Sequence, residues 1–474
     1  MLIRNILSGT PAIAMTAALG SALLGGCQSY EPRPIDLAQH RASVLARDTA
    51  LLTPDTAGLI SPHIARPDAG HTPGVFDASD GLSLPEGQAL AMFYNPDLRV
   101  SRMQAGVALA EFETAGLWQD PEFGFDASDI LSSNAPTETG FVLSLSIPIS
   151  GRLGVEKDRA GAHHAEALAR VVHEEWAVRA EVRRAWIAWS TGQERAALLQ
   201  GLVEQVESIV QIAEDLGSAG ELSRIESRLF VVELAKRQAE LSRATADKRR
   251  ARMRLLALLG LSPESTFVLQ PGLANAAEIP EASVIAMIER NTELATLRAA
   301  YRAAEQSLRL AIREQYPDIA IGAGYGNEDD DRLLLGVSIP IPVLNANRPA
   351  IARARAEREV ARASAHAAAE RFEHALAQAR LEDSEIRNQR AGYEEIVLPL
   401  LDEQAADVRR VIELGEFDAL LVLETVSGMF EAQVAMLELR QSELISATNI
   451  TELIGPPPVL PGQIEFETTN GANP

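Results

Sequence analysis

The sequence predicts a mainly α-helical chain with a membrane β-barrel portion, built from one helix, β-hairpin, helix unit written twice. Three observations carry that reading: landmarks recurring in order at a spacing of roughly 196 residues, helical runs too long for a globular domain, and short period-two segments between them. Asn95-Pro96-Asp97-Leu98 corresponds to Asn291-Thr292-Glu293-Leu294, and Asp120-Pro121-Glu122 to Tyr316-Pro317-Asp318. Ser146-Ile147-Pro148-Ile149 matches Ser338-Ile339-Pro340-Ile341, and Leu216-Gly217 matches Leu414-Gly415. Leu258-Leu259-Gly260 matches Glu452-Leu453-Ile454-Gly455 in register at its closing glycine. Five landmarks in one order make chance a poor account.

Helical periodicity covers Pro85 to Trp118, Leu153 to Leu216 and Leu222 to Leu259, with counterparts starting at Ala282, Ala350 and Ala419. In the second run Leu168, Val171, Val178, Val182, Ala185 and Trp189 begin a series of three- and four-residue steps. Ala196, Leu199, Val203, Val206, Val210 and Ala213 continue it, interrupted only at Glu175 and Gly192. That is the spacing of a coiled-coil seam. A stack of shorter helices would need a turn signal midway, and only Gly192 offers one. In the second copy Pro399 should kink the helix, because it removes a hydrogen bond and crowds the preceding turn.

The segments between the helices alternate. Phe141, Leu143, Leu145, Ile147 and Ile149 are apolar, with Val142, Ser144, Ser146 and Pro148 between them. The second copy sets Leu333, Leu335, Val337, Ile339 and Ile341 against Arg332, Leu334, Gly336, Ser338 and Pro340. Partner strands run through Phe123, Phe125 and Ala127, and through Ile319, Ile321, Ala323 and Tyr325. About ten residues is the length of a tilted membrane strand. Soluble hairpins capping a helical rod are the alternative. Four strands cannot close a barrel, and lipid leaves an open sheet edge without partners, so hairpins that enter a membrane require further copies of the chain.

Residues 1–26 read as a secretory signal, with Arg4 ahead of an apolar stretch from Pro11 to Leu24. Leu24-Gly25-Gly26-Cys27 resembles a lipoprotein cleavage site, in which Cys27 would carry a diacylglycerol; an ordinary signal followed by an incidental cysteine is the alternative. Cys27 is the single cysteine, so no intramolecular disulfide is possible. Gln28, where an aspartate would favour inner-membrane retention, points to the outer membrane. A net charge of −23, from 43 Lys and Arg against 66 Asp and Glu, argues against a nucleic-acid binder. No nucleophile elbow, phosphate-binding loop or cysteine pair suggests an enzyme or a resident cofactor.

These residues together resemble the outer-membrane efflux protein family, whose best-known member is TolC, from about Leu84 to Gly455. Ala115-Gly116-Leu117-Trp118 with Pro121-Glu122, and Gly322-Ala323-Gly324-Tyr325 with Leu344-Asn345-Ala346-Asn347-Arg348, look most like its heavy-metal, CzcC-like branch. The resemblance implies a homotrimer whose chains each give four strands to one twelve-stranded barrel above a periplasmic tunnel of coiled-coil helices. It also implies a periplasmic adaptor and an inner-membrane resistance-nodulation-division pump as partners, with metal cations or small toxic compounds as cargo. A non-channel coiled-coil scaffold lipoprotein is the rival class. The expected organisation is a signal over 1–26, a lipid-anchored extended tether over 27–84, a first repeat over 85–260 and a second over 261–455, and a tail over 456–474. Strands are expected at about 121–130, 139–149, 317–326 and 332–342.

Candidate site residues follow. Pro121 and Pro317 mark helix-to-strand junctions, and Gly217 and Gly415 mark turns that reverse the chain at the helical tips. Glu328, Asp329, Asp330 and Asp331 form an acidic hairpin tip, which would sit at the extracellular mouth. Glu226 and Glu424 lie at matching places after the tips; in the family the second stretch carries axis-facing aspartates, so Glu424 with Leu421 and Glu226 would form the periplasmic constriction. Ile412 and Phe417 replace the family's tyrosine and arginine gate residues. His163, His164 and His173 sit near Glu166 and Glu174, and only His163 with Glu166 has metal-ligand spacing; solvated helix surface is the plainer reading. Trp176, Trp186 and Trp189 read as packing.

Overall fold

A computed structural model describes residues 30–50, 76–77, 80–128, 138–273, 283–328, 330–414 and 418–457. It divides into two compact units, Met1–Ala46 and Arg47–Pro474. In the first, helix α1 (Leu37–Leu45) starts at Asp36, whose carboxylate accepts from the Gln39 N–H at 2.8 Å. The second opens with the short helix α2 (Arg47–Ala50), and its core buries Phe76 and Leu82. Within the stretch expected as an extended tether over 27–84, Leu37–Leu45 and Arg47–Ala50 are helical and Phe76 and Leu82 are buried, while residues 27–29, 51–75 and 78–79 lie outside the described residues.

The first repeat contains α3 (Leu84–Tyr94), α4 (Pro96–Thr114), β1 (Glu122–Ser128), β2 (Glu138–Ile147), α5 (Arg152–Ala219) and α6 (Arg224–Leu258). The second contains α7 (Val284–Arg290), α8 (Thr292–Arg313), β3 (Ile319–Glu328), β4 (Asp330–Ser338), α9 (Arg348–Gly392), a π-helical turn over Tyr393–Val397, α10 (Leu398–Glu413) and α11 (Ala419–Ile454). The opening run of each repeat, expected as one helix, is two. Asn95 accepts from the N–H groups of Asp97 and Leu98 at 3.0 and 3.1 Å, and Pro96 occupies the first helical position where no N–H is needed. Asn291 does the same for Leu294 at 2.8 Å.

Helix α5 is 68 residues long, on the order of 100 Å at about 1.5 Å per residue. Its expected seam is buried from Val171 through Ala213 with Val178 half-buried, whereas Leu168 is exposed. Pro399 does not break the second copy's helix. The backbone widens to the π-helical turn immediately before it, which accommodates the hydrogen bond a proline cannot donate.

The helices form four lanes. The amide of Asn95 donates to the Leu258 carbonyl at 3.0 Å, which sets α6 and α4 end to end; Asn291 donates to Leu453 at 2.8 Å and sets α11 and α8 end to end. Helix α5 packs on α4, α6, α8 and α11, while α9 packs on α8 and α11 and α10 packs on α11. The lane order is therefore α4 with α6, then α5, then α8 with α11, then α9 with α10. It repeats the strand order β1-β2-β3-β4.

Candidate functional site

The four strands form one antiparallel sheet. The observed strands shift the expected ones by a few residues, and β2 and β4 stop at Ile147 and Ser338, short of Pro148 and Pro340, where the ladder would lack an N–H. Pro121 directly precedes β1, and Pro317 stands two residues before β3. Register places Phe123, Leu143, Ala323 and Leu335 in one row, and Phe125, Phe141, Tyr325 and Leu333 in the next. These rows share a face, and it is open: Phe123 is 63 % exposed and Leu335 79 %. The Phe141 ring stacks between those of Phe123 and Tyr325, at 6.4 and 5.4 Å. Rows of the opposite face hold Glu122, Ser144, Gly322 and Gly336, then Gly124, Val142, Gly324 and Leu334. An apolar face of this extent is costly in water. Among the described residues the outer edges of β1 and β4 have no partner strand.

The sheet is tied to the helices at its base. Arg152, the first residue of α5, donates through Nη2 to Asp318 beside β3 at 2.8 Å. That hydrogen bond raises the guanidinium pKa despite its partial desolvation. The far end of each repeat is closed by a clasp. Gly260 and Gly455 take positive φ of 67° and 87°, and a Cβ on either would strike the carbonyl of Tyr94 or Arg290. Arg290 donates to the carbonyls of Pro456 and Gly455 at 3.0 and 3.4 Å. Tyr94 holds the equivalent place in the first repeat, and there Arg47 supplies the guanidinium: it donates to the Gly260 carbonyl and lies 4.7 Å above the Tyr94 ring. Arg102 and Arg298, also equivalent, donate to Met92 at 2.5 Å and to Glu289 at 3.0 Å. Sequence reasoning used the asparagines as landmarks without finding these roles. Their side chains act across the fold, and only their recurrence one residue before Pro96 and Thr292 signalled them.

At the helical tips the expected turn at Gly217 is corrected. Gly217 is still helical, and the reversal lies at Gly220, whose φ is +80°. Gly220 and Glu221 donate back to Gly217 and Leu216 at 3.2 and 3.0 Å, a Schellman closure. Glycine at 217 serves a different purpose: a Cβ there would meet the Ser227 hydroxyl of α6 at 2.7 Å. Glu226 caps α6, accepting from Ser223 N at 2.8 Å while its own N–H donates to Ser223 Oγ at 3.2 Å. The Ser223 hydroxyl, and then its backbone N–H, hold the Glu226 carboxyl below its usual value.

The second tip is built differently. Asp418 accepts from Leu420 and Leu421 at 3.0 and 3.1 Å and starts α11, so Glu424 sits a turn further into its helix than Glu226 does. Leu421 is half-buried; Glu424 is exposed and makes no ion pair among the described residues. The expected equivalence of the two acids is therefore one of sequence, not of helix position. Glu328 and Asp330 pair across the tip of the second hairpin and Asp331 pairs with Asn327, whereas Asp329, Gly415, Phe417 and Cys27 lie outside the described residues.

The histidines have separate neighbours. His163 meets Glu166 at 3.6 Å, His164 stacks on Phe112 at 6.2 Å, and His173 shares a hydrogen bond with Thr292 at 2.9 Å. Among the described residues no three His, Cys, Asp or Glu side chains converge on a metal position. Trp186 and Trp189 pack edge to face in the core of the first repeat, and Trp176 donates to the Glu452 carbonyl at 3.1 Å.

Residues 88–261 match the family described as outer membrane efflux protein. No curated protein matches the chain in sequence. Among solved structures, CusC, described in terms of folding and transmembrane channel formation, is 14% identical with a TM-score of 0.68, over 82% of this chain and 95% of that one. The Campylobacter jejuni CmeC outer membrane channel is 14% identical with a TM-score of 0.67, over 83% and 91%. The outer membrane protein VceC from Vibrio cholerae is 15% identical with a TM-score of 0.65, over 78% and 96%. These likenesses establish the fold.

Proposed function

We propose that this chain, which matches the outer membrane efflux protein family over its first repeat and shares the fold of outer-membrane channels, is the exit duct of an efflux system. The carrying observation is the sheet, with one face apolar and open and, among the described residues, both edges unpaired. Such a sheet is stable in a bilayer only when it is closed, since every unpaired edge group costs several kcal/mol there. Three copies side by side close twelve strands into one barrel, and their long helices continue it as a periplasmic tunnel. A lipid on Cys27 holds each chain to the outer membrane, and the partners are a periplasmic adaptor and an inner-membrane pump of the resistance-nodulation-division type. The duct is passive. Its cargo is metal cations or small toxic compounds, and the exposed carboxylate of Glu424 beyond the second tip supports a preference for cations at the periplasmic end. Planar-bilayer recording tests the reading. The purified oligomer should conduct, and Glu424→Gln should lower cation selectivity and weaken block by multivalent cations without disturbing assembly. A detergent-independent soluble protein without conductance would show a periplasmic scaffold instead.

A further inference from the structure

The two clasps close with the same chemistry drawn from different places. In the second repeat Arg290, the last residue of α7, donates to the carbonyls of Gly455 and Pro456. Its equivalent at the end of α3 is Tyr94, which precedes Asn95 as Arg290 precedes Asn291. Helix α3 contains no Lys or Arg, so it offers no cation to the Gly260 carbonyl. Conversely, no Lys or Arg occurs between Leu261 and Ala282, so the segment leading into the second repeat has none to offer Gly455.

In the first repeat the cation comes from ahead of the repeat, on α2. The Arg47 guanidinium donates to Gly260 and lies 4.7 Å from the centroid of the half-buried Tyr94 ring, and the residue is only 9 % exposed. Ring and carbonyl stand side by side, since a Cβ on Gly260 would strike the Tyr94 backbone. A planar guanidinium suits this pair, because it spreads over an aromatic face while an N–H in its plane reaches an oxygen.

No carboxylate pairs with Arg47 among the described residues. Burial, and after it the like charge of Arg99, lower the Arg47 pKa. The site therefore holds a cation by ring and carbonyl alone, which gives a free ligand weak binding. Attachment to the chain compensates, because it supplies the group at high effective concentration. The next residue adds a second fastening: Asp48 accepts from the Thr266 N–H at 3.3 Å, in the segment that follows Gly260.

We infer that the end of the first repeat is a receptor for a guanidinium group, formed by Tyr94 and Gly260, and that Arg47 is the ligand the N-terminal segment brings to it. The first repeat is closed from outside and the second from within. Seating of the N-terminal segment is then a step in folding the first repeat.

Hydrogen exchange on the full-length protein in detergent reads both clasps at once. Arg47→Gly should quicken exchange across Leu255–Leu261 by about tenfold or more and leave Thr451–Gly455 as it is. Methylguanidinium at roughly 20 mM should slow that exchange again, and methylammonium should not. Adding Tyr94→Arg to Arg47→Gly copies the second repeat, and should restore protection without any additive. Failure of both rescues, an unchanged first clasp in Arg47→Gly, or equal quickening at both clasps would each overturn the receptor. Should Arg47→Gly fail to fold, methylguanidinium present during refolding should raise the folded yield, and Tyr94→Leu added to it should abolish that gain. No gain in yield would overturn the receptor as well.

Discussion

Asn95 and Asn291 each use both ends of one amide: the oxygen starts a helix, and the nitrogen ends another by taking a carbonyl at the close of the repeat. Both side chains are buried. Replacing Asn291 by alanine removes a cap worth about 1 kcal/mol and strands the Leu453 carbonyl at roughly 1–3 kcal/mol. The expected loss is about 2–4 kcal/mol, read as a lower denaturation midpoint in detergent, with Asn291→Asp recovering the cap alone. A midpoint unchanged by alanine would show that the clasp carries no stability. The sequence made these asparagines visible as paired landmarks, because repetition is a pattern along the chain. Their function was hidden, because it depends on a carbonyl 163 or 162 residues away. Glu226 shows the opposite failure. Its sequence match to Glu424 suggested a shared role, and a serine three residues earlier decided for a helix cap.

Among the elements, the seams and strands were legible and the breaks were not. A period of 3.5 or of two repeats over many residues, so Val182, Ala185 and Trp189, or Phe141 and Leu143, declare their faces. A turn is decided by one or two residues, and Leu216-Gly217 drew attention away from Gly220. The two glycines make a contrasting prediction. Gly220→Ala forces a side chain into the left-handed region at about 1 kcal/mol, so hydrogen exchange should quicken across Leu216–Leu222. Gly217→Ala need only turn the Ser227 hydroxyl aside, and should leave that exchange nearly unchanged. Equal effects would return the reversal to Gly217. The turn also has a pH dependence. Because Glu226 sits below its ordinary value, its cap is complete above the unfolded carboxylate range and is lost as pH falls through the folded one.

For the molecule as a whole, the duplication and the four-stranded sheet followed from pattern. The four-lane order did not, since it depends on which helices meet end to end. The Cys27 reading makes the prediction at this scale: Cys27→Ser should abolish lipid labelling and leave the precursor uncleaved, and incorporation of lipid into that variant would refute the anchor. Because a closed barrel holds itself in the membrane, export through another signal should restore part of the conductance. The clasps also carry a consequence for how the chain matures. Each joins the opening of a repeat to its last few residues, so neither repeat can close until almost all of it has been made and delivered. Helical hairpins such as α5–α6 zip locally and fast, whereas loop closure over such a distance is slow. Between the two events the aromatic rows of the sheet stand uncovered. In that interval an unassisted chain is exposed to aggregation.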